Sequence, residues 1–286
     1  MNNIEINVAG RPYKFTLPSA WDEMTTPQIF AVCRASRKGL DMDGFLLDIL
    51  MGLIPASAQK ALFEFYAALA VARDKSPDGE GREARQDEIT DIASQFSRLL
   101  DLMKWLGEPS QLTKNPFPVL KVGRRKYQGP KEGLKDITYY DFALVDLLLR
   151  DMAYALKEDR PEDAEVAKAK IMAVLWKKPG EQYDEKRAEG RAKTFSHLSV
   201  ECKDAAYLFV AGSIRQIMQS FPRIFTDGQE ADDPQDENYG HAEVILDLAG
   251  GKFGDIEKTQ YTPLYTILMY LEHEARKAEK KQSQNV

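Results

Sequence analysis

Hydrophobic and polar residues alternate at the start of the chain and recur with a helical period over most of the remainder. Two alternating runs, 4–8 and 13–17, flank the turn residues 9–12, and this pattern predicts an antiparallel β-hairpin. An isolated hairpin is marginally stable in water, so we expect it to pack on the following helices or to pair with another chain. The predicted fold class is mainly α: helical bundle units with an N-terminal β-hairpin and a small C-terminal helical module.

Apolar residues spaced three and four positions apart predict a series of amphipathic helices after the hairpin. The predicted ranges are 27–37, 43–53, 58–73, 88–106, 138–156, 161–176 and 200–221. Residue preferences at the helix ends agree, because Thr26 and Thr138 are suitable N-caps and Pro27 and Pro161 suit a first helical turn. We expect the first four helices to pack with the hairpin and the last three to form a second helical unit.

Breaks in the helical period divide the chain into regions. Residues 108–136 contain several prolines and glycines, which interrupt helices, and residues 182–195 are polar. Residues 227–238 carry acidic side chains and no Lys or Arg, so charge repulsion predicts an extended tether. The predicted regions are a β-hairpin and helical unit (1–107), an irregular connector (108–136), a central helical unit (137–226), an acidic linker (227–238), and a C-terminal helical module with a polar tail (239–286).

The C-terminal module carries the clearest amphipathic helix of the chain. Residues 262–263 supply a capping threonine and a proline, and residues 264–271 place Leu and Ile at i, i+3, i+4 and i+7. Two explanations are open: the helix packs on the module's own first helix, or the small module docks on a partner because its core is too limited. We expect a separately moving unit whose partner-binding residues are Phe253, Tyr261, Leu264, Tyr265 and Leu268.

Composition and charge narrow the classes of function. The 286 residues are 43% apolar and 29% charged, values typical of a folded soluble protein. The net charge of −6 argues against a nucleic-acid-binding surface, because neutralising phosphates requires a basic face. No apolar run approaches the roughly 18 residues that a membrane span needs, and the N-terminus lacks the pattern of a signal peptide. We therefore expect an intracellular protein.

Motifs for catalysis, cofactors or metals are absent from the sequence. Cys33 and Cys202 lie far apart in apolar helical patterns, and the three histidines have no metal-ligand spacing. Residues 250–254 contain Gly-Gly-Lys, but Phe253 stands where a phosphate-binding Walker loop needs Ser or Thr, so a helix C-cap is predicted instead. We predict no catalytic residue, no cofactor and no metal site, and a non-enzymatic protein.

One segment combines basic side chains with an aromatic residue, Tyr127. Its basic residues are Lys121, Arg124, Arg125, Lys126 and Lys131. A solvated loop is the favoured interpretation, and a nucleic-acid-associated protein that uses this 121–131 patch is the alternative. Such a patch on an acidic protein would bind weakly and lose affinity steeply with salt. An unrecognised enzyme with a deep polar pocket is a further alternative.

Several short stretches of the chain resemble one group of proteins. They are Pro18–Gln28 with its Trp-Asp-Glu-Met-Thr-Thr-Pro-Gln, Leu175-Trp-Lys-Lys-Pro-Gly180, Tyr183-Asp184, Glu189-Gly-Arg-Ala-Lys-Thr-Phe195, Phe221-Pro-Arg-Ile-Phe225, Leu248-Ala-Gly-Gly-Lys-Phe-Gly254 and Thr262–Leu271. Together they are similar to tail-region proteins encoded by phages and prophages of Bacteroides-type bacteria.

The resemblance implies a tail assembly, chaperone-like or virion-associated structural protein that acts through protein–protein contacts. Its implied partners are other phage tail proteins, with the tape-measure protein as one candidate, and a homo-oligomer is left open. Nucleic acid and membrane are not expected partners. The implied location is the host cytoplasm, with incorporation into the virion left open. The family offers no catalytic residues to transfer to this chain.

Overall fold

The computed structural model describes residues 1–8, 11–54, 56, 57, 59, 60, 63, 94, 95, 97–225 and 240–284. The fold is mainly α, which confirms the predicted fold class. The chain divides into two compact units, Met1–Ser110 and Gln111–Val286. Most of the predicted helix 58–73, much of the predicted helix 88–106 and the acidic linker 227–238 lie outside the described residues.

The first unit begins with the predicted hairpin. Strands β1 (Asn2–Val8) and β2 (Arg11–Leu17) pair antiparallel, with Ile4 opposite Phe15. Helices α1 (Thr26–Ser36) and α2 (Met42–Leu53) follow, and residues 97–103 are also helical. The buried apolar residues of the two helices recur at helical spacing and include Ile29, Val32, Cys33, Leu46, Ile49 and Leu50.

The cap of α1 differs from the prediction by one residue. Thr25, and not Thr26, is the N-cap, and the Thr25 amide donates a hydrogen bond to the Gln28 side chain at 2.8 Å. Thr25 and Gln28 form a capping box, which satisfies backbone amides that the first helical turn leaves unpaired. Pro27 lies in the first turn as predicted.

The predicted connector 108–136 contributes a second hairpin to the second unit. Strands β3 (Val119–Val122) and β4 (Arg125–Gln128) pair antiparallel, and Gly123 takes a positive φ of 59° in the turn between them. Leu120 and Tyr127 face each other and are buried. Most of this segment is therefore part of the second unit and not a separate connector. Its prolines and glycines exclude helix but are compatible with a short hairpin and extended chain.

Helices form the rest of the second unit. They are α3 (Tyr139–Lys157), α4 (Pro161–Leu175), α5 (Glu185–Phe195), α6 (Val200–Ser220), α7 (Gly240–Leu248), α8 (Ile256–Gln260) and α9 (Leu264–Gln284). The ends of α3, α4 and α6 lie close to the predicted ones. None of the described helices is long and apolar enough to cross a membrane.

Helix α5 lies in the polar stretch 182–195, where no helix was predicted. Asp184 caps the helix by accepting a hydrogen bond from the Arg187 amide at 2.8 Å. Its buried positions are Ala188, Arg191 and Phe195. Their spacing of three and four is helical, but one of the three is an arginine, so hydrophobicity alone gives little signal.

The C-terminal region is packed into the second unit. The Leu264 amide donates to the Ile137 carbonyl and the Tyr139 amide donates to the Thr262 carbonyl, each at 3.0 Å. Thr138 and Pro263 form an isolated β-bridge between these hydrogen bonds. The expectation of a separately moving module is therefore wrong: residues 262–264 are tied to the start of α3, and α9 shares a core with the helices before it.

Candidate functional site

Leu264, Tyr265 and Leu268, three of the predicted partner-binding residues, hold α9 against its own chain. Leu264 is fully buried and Leu268 is only 1% exposed. The Tyr265 hydroxyl donates to the Gly133 carbonyl at 2.9 Å, and its ring packs edge-on against Phe221 with centroids 5.9 Å apart. Burial leaves Leu264 and Leu268 without surface for a partner, which corrects the prediction that they bind one.

Phe253 and Tyr261, the other two predicted partner-binding residues, also contact rings of the same unit. Phe253 packs edge-on against Tyr270 at 5.2 Å, and Tyr261 lies 6.4 Å from the ring of Tyr140. Both are partly exposed. The structure therefore does not bring the five predicted residues together on one surface, because the apolar face of α9 is covered from within the chain.

His241 fixes α7 to α3 through two polar contacts. Its Nδ1 lies 3.0 Å from the Tyr139 hydroxyl, and its Nε2 lies 3.1 Å from Asp146 Oδ2. Asp146 also pairs with Arg150 at 2.8 Å. Burial alone would raise the pKa of Asp146, but the hydrogen bond to His241 and the charge of Arg150 together bring it below its ordinary value.

The row of polar contacts formed by Tyr139, His241 and Asp146 anchors α7 on α3. Tyr139 is buried, and burial raises the pKa of its hydroxyl well above the ordinary value. The Tyr139 hydroxyl therefore stays protonated near neutral pH. Its contact with His241 positions α7, the first helix of the C-terminal region.

An apolar groove lies between α3, α4 and α5. Its volume is about 660 Å³. The aliphatic residues that line it are Leu144, Leu147, Leu148, Val166, Ala169, Ala173, Val174, Ala188 and Ala192. Leu147 is 56% exposed and Val166 is 48% exposed. The groove arises because α3 supplies leucines three and four positions apart, whereas α4 and α5 contribute mainly short alanine side chains.

Charged side chains of both signs line the same groove. Glu185 and Glu189 come from α5, and Lys170 and Lys193 come from α4 and α5. An apolar floor with a mixed charged rim is the surface that helix-in-groove recognition uses, in which the apolar stripe of one helix fills the groove and its flanking polar residues meet the rim. This surface could not be predicted from the sequence because it depends on α5, which was not predicted.

Buried polar contacts hold the loop between α4 and α5. Lys177 Nζ lies 2.8 Å from both carboxylate oxygens of the buried Asp141. The Trp176 indole donates to the Phe117 carbonyl at 2.8 Å. A Cβ added at Gly129 would lie 2.7 Å from that same carbonyl oxygen, so this position requires glycine. The loop and the β3–β4 hairpin are thereby locked together.

A second pocket, of about 430 Å³, lies beside this loop and is strongly basic. It is lined by Arg125, Tyr127, Lys178, Glu181, Arg187, Gly190 and Arg191. Its carboxylate, Glu181, pairs with Arg191 at 2.6 Å and lies 3.9 Å from Arg187. Burial alone would raise the pKa of Glu181, but the hydrogen bonds from the Lys178 amide and from Arg191, with the charges of Arg191 and Arg187, lower it below the ordinary value.

Three of the quoted stretches, 175–180, 183–184 and 189–195, lie in this loop and in α5. Trp176 and Lys177 anchor it, Arg191 reaches back to the Ala173 carbonyl at 2.9 Å, and Phe195 packs edge-on against Tyr127 at 5.0 Å. These residues are buried in the core or form ion pairs that hold the loop.

Comparison of the chain with protein-family models, with curated proteins and with solved structures finds no match. Within the part of the chain that the structure describes, no three His, Cys, Asp or Glu side chains come together in a group that could hold a metal ion.

Proposed function

We propose that the protein is a non-enzymatic phage tail assembly or virion-associated structural protein and that the apolar groove is its contact surface. The observation that carries the proposal is the exposure of Leu147 and Val166 at a groove lined by aliphatic side chains. Contiguous exposed apolar surface with a polar rim marks interaction sites in soluble proteins. The resemblance of the chain to tail-region proteins supports the class of partner.

The occupant that fits the groove best is an amphipathic helix of another tail protein. Three helices form the walls, and the leucines of α3 are spaced to meet aliphatic residues at i, i+3 and i+4 of a partner helix. Acidic and basic residues at the rim provide complementary contacts for a polar face that carries both charges. Association would then bury the apolar side chains that the isolated unit exposes.

Co-purification with co-expressed tail proteins tests the groove, and α3 offers a matched control. Leu147 and Leu156 are both 56% exposed on this helix, but only Leu147 lines the groove. We expect Leu147→Gln to reduce recovery of the partner about tenfold, because loss of a buried aliphatic contact costs about 1–2 kcal/mol. Leu156→Gln should leave recovery unchanged. Equal recovery with both variants would contradict the groove as the contact surface.

Mass spectrometry of purified phage particles distinguishes the two roles within the proposal. Presence in the particle in stoichiometric amount assigns a structural role. Absence from the particle, together with co-purification from infected cells, assigns an assembly role. If neither is observed, the tail function itself is wrong.

If the purified chain alone associates in a concentration-dependent way and Leu147→Gln abolishes this, the groove binds a second copy instead.

A further inference from the structure

We propose that the basic pocket formed by β4, the α4–α5 loop and α5 binds a phosphate group. Three separate elements supply its cations: Arg125 from β4, Lys178 from the loop, and Arg187 and Arg191 from α5. This site is distinct from the apolar groove and does not depend on the tail function proposed above.

The charge of the pocket lining is strongly unbalanced. Four cationic side chains line it, and Glu181 is the carboxylate among the lining residues. Arg187 and Arg191 are four positions apart on one helix, where like charges destabilise the helix. Glu181 offsets only part of this repulsion. A phosphate dianion in the pocket would offset two of the three positive charges that Glu181 leaves unbalanced, and guanidinium groups match its oxygens with paired N–H donors.

Arg191 is held in a fixed orientation before any ligand arrives. Its side chain is only 6% exposed, Nε donates to the Ala173 carbonyl at 2.9 Å, and Nη1 pairs with Glu181 at 2.6 Å. Its Nη2 is buried and has no hydrogen-bond partner among the described residues. A buried donor without a partner is costly, so native proteins rarely leave one. Arg191, which lines the pocket, therefore has one donor group that the described residues do not satisfy.

Gly190 leaves open space at the lining of the pocket. It lies in the interior of α5, where glycine costs about 0.5–1 kcal/mol relative to alanine. A Cβ at this position would have no heavy atom within 4 Å, so packing within the protein does not require glycine here. Glycine does allow a ligand to approach the backbone closely. Because Gly190 lines the same pocket, its lack of a side chain leaves room for a bound group.

A compact anionic group fits the site better than a long nucleic-acid track. The site is a pocket of about 430 Å³, and the chain as a whole has a net charge of −6, which would repel an extended polyanion. The phosphate has two possible sources: a free or small-molecule phosphate, or one phosphate in a nucleic-acid strand. Both present the same oxygens to the arginines, and the experiment separates them.

Calorimetric titration of the full-length chain with inorganic phosphate, at constant ionic strength set with sodium chloride, tests the site. Arg187→Gln and Arg125→Gln are each expected to weaken binding about fivefold or more, because each removes a charged donor to the phosphate. Arg187 is 69% exposed and lies 3.9 Å from Glu181, so its removal should leave the melting temperature without phosphate unchanged. Lys193→Gln is the control, since it removes the same charge from α5 outside this pocket.

Fluorescence anisotropy with a labelled single-stranded oligonucleotide provides the second arm. Binding of the oligonucleotide but not of inorganic phosphate, with loss in Arg187→Gln and not in Lys193→Gln, assigns the phosphate to a nucleic-acid strand. Binding of inorganic phosphate with the same variant pattern assigns a free or small-molecule phosphate. The proposal is overturned if neither probe binds, or if Lys193→Gln weakens binding as much as Arg187→Gln.

Discussion

Two apolar helix faces of the second unit, one on α9 and one on α3, have similar sequence patterns but different surroundings. Leu264 and Leu268 on α9 are at most 1% exposed, whereas Leu147 on α3 is 56% exposed. The first face meets helices and hydrogen bonds of its own chain. The second opens onto a groove. An amphipathic pattern therefore predicts that one face of a helix becomes buried. It does not say whether the residues that bury this face belong to the same chain or to a partner.

The largest loss of stability is expected from a substitution on the buried apolar face of α9. Leu268→Ala should destabilise the second unit by about 2–5 kcal/mol, because it removes buried methyl groups and leaves a cavity. Urea denaturation followed by circular dichroism measures the change in the free energy of unfolding. A loss below about 1 kcal/mol would mean that α9 does not share the core of this unit.

A smaller effect is expected at the polar end of the same face. Tyr265→Phe removes the hydrogen bond to the Gly133 carbonyl but keeps the ring against Phe221. We expect a loss of about 0.5–1.5 kcal/mol, which is the usual net value of such a bond. The same denaturation experiment measures it, with Tyr261→Phe as a control that changes a partly exposed tyrosine. Equal effects of the two substitutions would argue against a specific contribution from this bond.

The anchor of α7 should make stability depend on acidity. Because the pKa of Asp146 is lowered in the folded state, its carboxylate adds stability above its ordinary value of about 4, and this contribution is lost as the pH falls through the lower folded-state pKa. We expect Asp146→Asn to cost about 1 kcal/mol or less near neutral pH and to flatten the loss of stability on acidification. Denaturation midpoints from pH 7 to pH 2.5 measure both, and a variant with the slope of the original chain would contradict this role.

The smallest loss of stability is expected from a substitution on the exposed apolar face of α3. Leu147→Ala should change the stability of the chain by about 0.5 kcal/mol or less, since an exposed side chain loses little packing. Urea denaturation of Leu147→Ala and Leu268→Ala gives the change in the free energy of unfolding for each. The difference between the two values measures how differently the two faces are buried. A loss above about 2 kcal/mol would show that Leu147 is already covered in the free protein, and the groove would then not be available to a partner.

Much of the fold could be predicted from local pattern. The N-terminal hairpin and helices α3, α4 and α6 follow from period-2 and period-3.6 spacing, and Thr138 caps α3 as expected. Helix α5 could not be found in this way because its buried Arg191 counts as polar. Its burial depends on a carbonyl from α4 and on Glu181, partners that the local sequence does not identify.

The candidate sites were harder to predict because they depend on distant segments. Arg125 lies in the predicted basic patch, but its neighbours in the pocket, Arg187 and Arg191, come from a stretch that was assigned no structure. The spacing of these two arginines was the available signal, and it carries meaning only once α5 is known. The prediction of a separately moving C-terminal module was wrong for the same reason. The residues that bury Leu264 and Leu268 lie in distant segments of the chain.

The hydrogen bond from the Leu264 amide to the Ile137 carbonyl joins residues 127 positions apart, so it can form only after both segments have been synthesised. Helix α3 leaves the ribosome long before α9 exists, and contacts between distant segments form only after the intervening chain has closed. During that interval the nascent chain exposes the apolar surface that Leu264 and Leu268 later cover, and such surface promotes aggregation. A premature stop before residue 264 should therefore give an insoluble product and not a shortened, folded protein.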